Sequence, residues 1–137
     1  MKGKVVVITG GSRGIEFETA KALFRQGAIV IIGYRNLVLA KNSKYLLNKI
    51  YDNSSFSFIH LDLNDYGDVK KFSEKIILKY GKIDILINNA GSCFLNFTLH
   101  DGIELTYFTN HIGHLIISSL LLEYFNSRRK NNKFSNN

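Results

Sequence analysis

The chain has 137 residues, 45% of them hydrophobic and 21% charged, which suits one globular domain with a real core and not two. A single Cys93 excludes an intrachain disulfide and a cysteine-based metal cluster, and it fits a reducing compartment. Lys and Arg number 18 against 11 Asp and Glu, a net charge of +7, but the lysines fall singly along expected helix surfaces without an aromatic–basic stripe, so no nucleic-acid partner is expected.

The first strand is expected at Val5-Val6-Val7-Ile8-Thr9, a β-branched run of the kind buried on both faces of a sheet. It begins so soon after Met1 that no signal or transit peptide is expected, and the location read from the sequence is cytoplasmic. The run breaks into Gly10-Gly11-Ser12-Arg13-Gly14 and resumes as a helix from Ile15 to Gln26. A strand, a glycine turn and a helix form the setting in which backbone can approach a phosphate closely. The free N–H groups and the positive end of the helix dipole then face the anion. The inward stripe of this helix is expected to be Ile15, Thr19, Ala22 and Leu23, with Ala20 and Phe24 on the flanks and Gly27 as the stop.

Ala28 to Gly33 predicts a second buried strand, Leu37 to Tyr51 a helix, Asp52 to Ser55 a turn and Phe56 to Leu61 a third strand. Val69 to Tyr80 predicts the next helix, closed by Gly81, and Ile83 to Ile87 a fourth strand running into Asn88-Asn89-Ala90-Gly91. A loop through Gly102 leads to a long final helix, about Glu104 to Phe125. Its most apolar part, Ile112 to Leu122, is too short and too interrupted by Gly113, His114, Ser118 and Ser119 to span a membrane. The remainder, 126–137, reads as a disordered basic and Asn-rich tail. There is no proline, so every boundary must come from Gly, Asn, Asp and Ser.

Four alternations of strand and helix predict an α/β fold with a parallel sheet and right-handed crossovers. Ligands of such sheets bind beyond the carboxyl ends of the strands, where strand order reverses. Thr9-Gly10, Tyr34-Arg35, Asp62-Leu63 and Asn88 to Gly91 all fall at carboxyl ends, so four polar or glycine clusters converge on one edge.

These residues resemble the short-chain dehydrogenase/reductase family. Thr9 to Ile15 resembles its T-G-x-x-x-G-I-G, Asn88-Asn89-Ala90-Gly91 its N-N-A-G, and Asp62-Leu63 its adenine-site pair. Phe17-Glu18-Thr19-Ala20, Tyr34-Arg35-Asn36 and Asn110-His111-Ile112-Gly113-His114 are similar to the retinol-dehydrogenase and WW-domain-oxidoreductase branch. The resemblance runs from Lys4 to about Tyr124. It implies a Rossmann-like doubly wound parallel sheet, truncated after the fourth strand and its following helix, with 1–125 a partial NAD(P)-binding domain.

The resemblance also implies residue roles. Gly10 and Gly14 would turn under the cofactor pyrophosphate, with Ile15 opening the helix, and Ser12 and Arg13 would sit beside the adenosine ribose. Asp62 would bond the adenine edge and Leu63 cover the ring, while Asn89, Ala90 and Gly91 would line the ribose and nicotinamide. Asn110 matches the family's active-site asparagine, which helps hold a proton-relay water. An NAD-preferring site places a carboxylate at the end of the second strand to grip the ribose 2′-OH. Here that end reads Gly33-Tyr34-Arg35-Asn36, and Arg35, with Arg13, suits a 2′-phosphate through charge-assisted bonds. NADP is therefore favoured over NAD, with Arg35 and Asn36 counted among the cofactor-binding residues.

The chain departs from the family pattern in two places. Glu16 replaces the third glycine, and its carboxylate competes with the pyrophosphate for the helix dipole, so weakened cofactor binding is expected. The family's reaction also needs a tyrosine, a lysine four residues later and a serine, at and beyond a fifth strand that this sequence does not reach. Tyr45/Lys49 and Tyr66/Lys70 have the spacing but fall on earlier crossovers. No metal site is expected, since His111 and His114 lack a third ligand, and Cys93 has no positioned base. The final helix is apolar around much of its circumference, a surface for a homodimer, and the fourth strand is left as an apolar edge. The functional expectation is an NADP-dependent oxidoreductase acting on a lipophilic alcohol or carbonyl once completed, inactive as this chain alone. The alternative is a non-catalytic nucleotide-binding or interaction module.

Overall fold

Every residue of β1 (Val5–Thr9) is buried, because a strand lies on each side of it and helices cover both faces. In the computed structural model, which describes residues 1–10, 14–51 and 56–134 (backbone alone for 50 and 125–134), β1 pairs in parallel with β2 (Ile29–Tyr34) from Val5↔Ile29 to Thr9↔Gly33. On its other side it pairs with β4 (Ile85–Ile87), from Val6↔Ile85 to Ile8↔Ile87. β3 (Phe56–His60) extends the sheet beyond β2, giving the order β3-β2-β1-β4. The chain thus winds outward from β1 to β3 and returns to the other side of β1, so strand order reverses between β1 and β4.

Strand periodicity decides which helix meets which residue. Val5, Val7 and Ile31 face the layer of α3 (Tyr66–Tyr80) and α5 (Gly113–Phe134), where Phe72, Ile76 and Ile117 fill the core. Val6, Ile8, Val30 and Ile32 face α1 (Gly14–Arg25) and α2 (Leu37–Ile50), meeting Ala20 and Leu47. Helices on both faces of a parallel sheet make the doubly wound arrangement that the sequence pattern predicts.

The helical stripe of α1 differs from expectation. Ile15 stands 80% exposed and Ala22 is exposed, whereas Ala20 is buried. Leu23 packs inward as expected, and Phe17, Ala20 and Phe24 complete the inward face, because the two rings bury more surface than Ile15 and Ala22 would. Phe24 stacks on Phe56 of β3 with ring centroids 4.4 Å apart.

Polar side chains set the boundaries. Asn36 Oδ1 accepts the Leu39 N–H at 3.1 Å to open α2. Asp65 Oδ1 accepts the Asp68 N–H at 3.0 Å and starts α3 at Tyr66, a turn ahead of the expected Val69. Gly81 ends α3 in the left-handed conformation, φ 64°. β4 begins at Ile85 rather than Ile83, because the Asp84 side chain takes over the ladder. Its Oδ2 accepts the Val5 N–H at 2.8 Å, Lys4 Nζ donates to Oδ1 at 2.9 Å, and the Asp84 N–H reaches the Val5 carbonyl at 2.9 Å.

The expected loop before the last helix contains a hairpin, β5 (Leu99–His100) and β6 (Ile103–Glu104), closed by Asp101 and Gly102 at φ 50° and 78°. Positive φ at both central residues is the type I′ arrangement that matches strand twist. The Glu104 carboxylate then caps α4 (Leu105–Tyr107), accepting the Thr106 and Tyr107 N–H groups at 2.9 and 2.8 Å, and these bonds hold its carboxyl below the usual glutamate range. A five-residue π turn, Phe108–Ile112, joins α4 to α5. α5 continues to Phe134, so the backbone of 126–134 is helical where a disordered tail is expected; no glycine or proline stands there to stop it. Leu115 and Leu122 of α5 are 56% and 61% exposed, and β4 has no partner on its outer side among the described residues. No helix among the described residues is long and apolar enough to cross a membrane.

Two predictions follow from these contacts. The Val5 N–H, with help from Lys4 and Lys82, lowers the Asp84 carboxyl from 3.8 to about 2. A lowered folded-state value contributes stability above pH 3.8 that is lost as pH falls toward about 2. Urea unfolding of wild type and Asp84→Asn should therefore differ by a constant amount near neutral pH, with the gap closing over that acid window. In the second case, a Cβ built on Gly113 would lie 2.6 Å from the Leu63 carbonyl oxygen. Gly113→Ala must push backbone aside and should lower the unfolding free energy by about 1–3 kcal/mol in the same assay.

Candidate functional site

The reversal of strand order leaves a cleft above the carboxyl ends of the sheet. Gly10 and Glu16 line it from the β1–α1 connection, Gly33 to Asn36 from the end of β2, and Asp62 and Leu63 from the end of β3. Ala90, Gly91 and Ser92 close it from beyond β4, and Thr109 reaches in from the π turn.

Thr9 is the hub of this edge. Its hydroxyl oxygen accepts the Asn89 and Ala90 N–H groups at 3.0 and 3.1 Å, which occupies both lone pairs. His114 Nε2 lies 2.8 Å from the same oxygen, while the Ile87 carbonyl is farther away at 3.4 Å. His114 Nδ1 is 3.0 Å from the Asn110 carbonyl oxygen, an atom that can only accept. The network therefore assigns the ring proton to Nδ1 and sends the Thr9 proton to Nε2. With 7% exposure, His114 has every ring nitrogen satisfied inside the protein.

Asn110 works on the far side of the same turn. Its Oδ1 accepts the Ser92 N–H at 2.8 Å and its Nδ2 donates to the Ser92 carbonyl at 2.9 Å. The side chain thus completes a two-bond bridge to the Ser92 backbone, and it sits in the π turn rather than inside a continuous final helix. The Thr109 hydroxyl lies 2.7 Å from Asn64 Oδ1, tying the π turn to the loop after β3. Asn88 Nδ2 donates to Ser118 Oγ of α5 at 3.0 Å. The segment 88–92 is consequently held by β1, the π turn and α5 together.

The charged groups of the cleft are disposed unevenly. Arg35 is exposed at the end of β2 and has no ion pair among the described residues. The lining carboxylates are Glu16 and Asp62. Asp62 Oδ1 accepts the Asn64 N–H at 3.0 Å, and the Asp62 N–H donates to Asp68 Oδ2, so this loop is braced from both sides.

Of the residues singled out in the sequence, Gly10, Arg35, Asn36, Asp62, Leu63, Ala90 and Gly91 line the cleft. Asn89 enters through its backbone bond to Thr9. Ile15 is turned to solvent away from the lining, and Leu63 is largely a core residue, 5% exposed. Ser12 and Arg13, and the turn expected at 52–55, lie outside the described residues. The His111 ring packs tilted against Tyr107 with centroids 5.1 Å apart, while the His114 ring is taken up by Thr9 and the Asn110 carbonyl. Tyr45/Lys49 and Tyr66/Lys70 do not line the cleft. Sequence reasoning missed Ser92, Thr109 and the bridging role of His114. The N-H-I-G-H run was the only local signal for the last of these.

With this geometry established, comparisons identify the family. The model of the short chain dehydrogenase family matches residues 4–132. The chain is 40% identical over 127 residues to Short-chain dehydrogenase TIC 32 A, chloroplastic, of Brassica napus, covering 92% of this chain and 40% of that protein. Retinol dehydrogenase 12 of Mus musculus is 38% identical over 122 residues, covering 88% of this chain and 39% of that protein. The chain thus spans about 40% of the length of these curated relatives. The crystal structure of a short chain dehydrogenase from Bacillus anthracis superposes with a TM-score of 0.78 at 28% identity, covering 91% of this chain and 52% of that one. Sheet order, the conjunction of Thr9 with the Asn88 to Gly91 turn, and the match across nearly the whole sequence agree: the chain belongs to the short-chain dehydrogenase/reductase family.

Proposed function

We propose that this chain is the cofactor-binding part of an NADP-dependent oxidoreductase acting on a lipophilic alcohol or carbonyl. The observation that carries the cofactor choice is Arg35, an exposed cation with no ion pair among the described residues, at the carboxyl end of β2 on the cleft lining. No carboxylate stands at that strand end, where a ribose 2′-OH would need an acceptor, whereas a guanidinium suits a 2′-phosphate. A bound nicotinamide dinucleotide would supply the hydride chemistry. The chain's own part is to bind and orient. Gly33, Arg35 and Asn36 would meet the phosphorylated ribose, Asp62 and the edge of Leu63 the adenine, and the segment Asn89 to Gly91 the far end. Asn110 would hold that segment through its bridge to Ser92. Lipophilic substrates are inferred from the likeness to the mouse protein named Retinol dehydrogenase 12.

The chain alone would bind nucleotide without turning it over, since neither tyrosine–lysine pair lines the cleft. Exposed Leu115 and Leu122 and the outer edge of β4 would be covered by a second copy or by further polypeptide.

Arg35 supplies the test. Calorimetric titration should find NADPH bound more tightly than NADH. Arg35→Ala should erase that preference by weakening NADPH roughly ten- to a hundred-fold, the value of a charge-assisted bond of about 1.5–3 kcal/mol, while leaving NADH nearly unchanged. Equal affinities for the two nucleotides in the wild-type protein would contradict the NADP assignment.

A further inference from the structure

β3 is an open edge of the sheet. It pairs with β2 alone, at one end of the order β3-β2-β1-β4, and none of its five residues is buried, whereas every residue of β1 is. The Leu61 N–H donates to the Tyr34 carbonyl at 2.8 Å, so at a strand period of two the backbone groups of Ser57 and Ile59 also point at β2. Those of Phe58 and His60 therefore point outward, where no strand among the described residues receives them. β3 itself lacks the lysine or proline that commonly blunts such an edge.

A groove runs along this edge and shares no lining residue with the nucleotide cleft. Lys44 of α2 and Lys75, Leu78 and Lys79 of α3 line it beside Ser57 and Phe58, and no carboxylate does so among the described residues. The two helices cover opposite faces of the sheet, so cations flank the edge from both sides. Lys79 Nζ donates to Ser57 Oγ at 3.2 Å and lies 5.2 Å from the centre of the Tyr80 ring, which holds its charge beside the strand. Lys44 and Lys75 have no ion pair among the described residues. Leu78, between Lys75 and Lys79 in the chain, is 85% exposed.

We propose that the outer edge of β3 takes an extended acidic segment of a partner protein as an added strand. The segment's backbone bonds the outward N–H and C=O groups of Phe58 and His60, which any sequence can do, and the lysines set the choice. Side chains of an added strand alternate between the two faces of the sheet. Acidic ones meet Lys44 on the α2 face and Lys75 and Lys79 on the α3 face, while an apolar one covers Leu78. Charge also decides against a second copy of this chain. Pairing two β3 edges would bring both lysine sets together in a protein of net charge +7.

The test is fluorescence anisotropy of the full chain with a labelled synthetic peptide of repeated glutamate-glutamate-valine. One companion peptide has glutamine for glutamate, and another is N-methylated throughout, which keeps the charges and removes the backbone donors. Wild type should bind the acidic peptide saturably, and less tightly as salt rises. Lys44→Gln should weaken binding about three- to five-fold, and Lys75→Gln combined with Lys79→Gln about ten-fold, as exposed ion pairs do; circular dichroism checks folding. On binding, hydrogen exchange should slow at the Phe58 and His60 amides and stay unchanged at Ser57 and Ile59. Equal binding of the glutamine peptide overturns the role of charge. Equal binding of the methylated peptide, or unaltered exchange at Phe58 and His60, reduces the interaction to surface adsorption and overturns strand addition. A dimer of the chain alone in sedimentation, with those two amides protected, makes a second copy the occupant and overturns the partner assignment. Failure of the folded chain to bind the acidic peptide overturns the proposal outright.

Discussion

The arrangement of the cleft depends on one hydroxyl. Thr9 ends the central strand, and its oxygen accepts two consecutive amides of the turn after β4 while its proton reaches His114 at the start of α5. Three elements far apart in sequence are thereby fixed to one atom that has no bonding capacity left over. The hydroxyl is fully buried, where water cannot replace a missing partner, so the cost of leaving any of these groups unpaired is high. The rest of the site is built outward from there. His114 passes the connection to the Asn110 carbonyl, and the Asn110 side chain passes it to Ser92 on the opposite wall.

Much of this fold was legible because a sheet buried on both faces announces itself as uninterrupted apolar runs. β1 and β2 are such runs, and the glycines after them are legible for the same reason that they are needed. The four strand ends could be aligned from topology alone, and Arg35, Asp62 and Gly91 do line one cleft. What escaped was settled by tertiary packing or by side chains acting on distant backbone. The face of α1 was misread because Ile15 looks like core, yet Phe17 and Phe24 fill the available space. The Asp84 carboxylate substitutes for a ladder carbonyl and shortens β4, which no periodicity reveals. The hairpin has strands of two residues each, too short to alternate, although its Asp101-Gly102 pair is a strong local turn signal. Ser92 and Thr109 contribute through a backbone bridge and a loop contact, and composition carries no trace of either.

Charge divides the cleft into two unlike ends. The guanidinium of Arg35 stands where the second strand stops, and the Glu16 carboxylate lines the same cleft from the first turn of α1. The family's fold supplies positive potential at that turn through amides of the helix start, independent of side chains. The scaffold and the charges set on it are separable: one follows from glycines and hydrophobic runs, the other from side chains that the fold does not require.

The π turn at Phe108–Ile112 acts as a phase adjuster. In an α-helix each residue advances the side chains by about 100°, so neighbours cannot both serve one face while later residues keep their packing. Widening the coil here lets Thr109 reach the loop after β3 and Asn110 reach Ser92. α5 nonetheless starts with Gly113 against Leu63 and His114 against Thr9. Insertion or loss of a residue within these five positions would rotate the whole of α5 relative to the cleft. Length in this segment is therefore constrained as tightly as side-chain chemistry, whereas the solvent-facing hairpin just before it can vary in length without changing the angular setting of the helix.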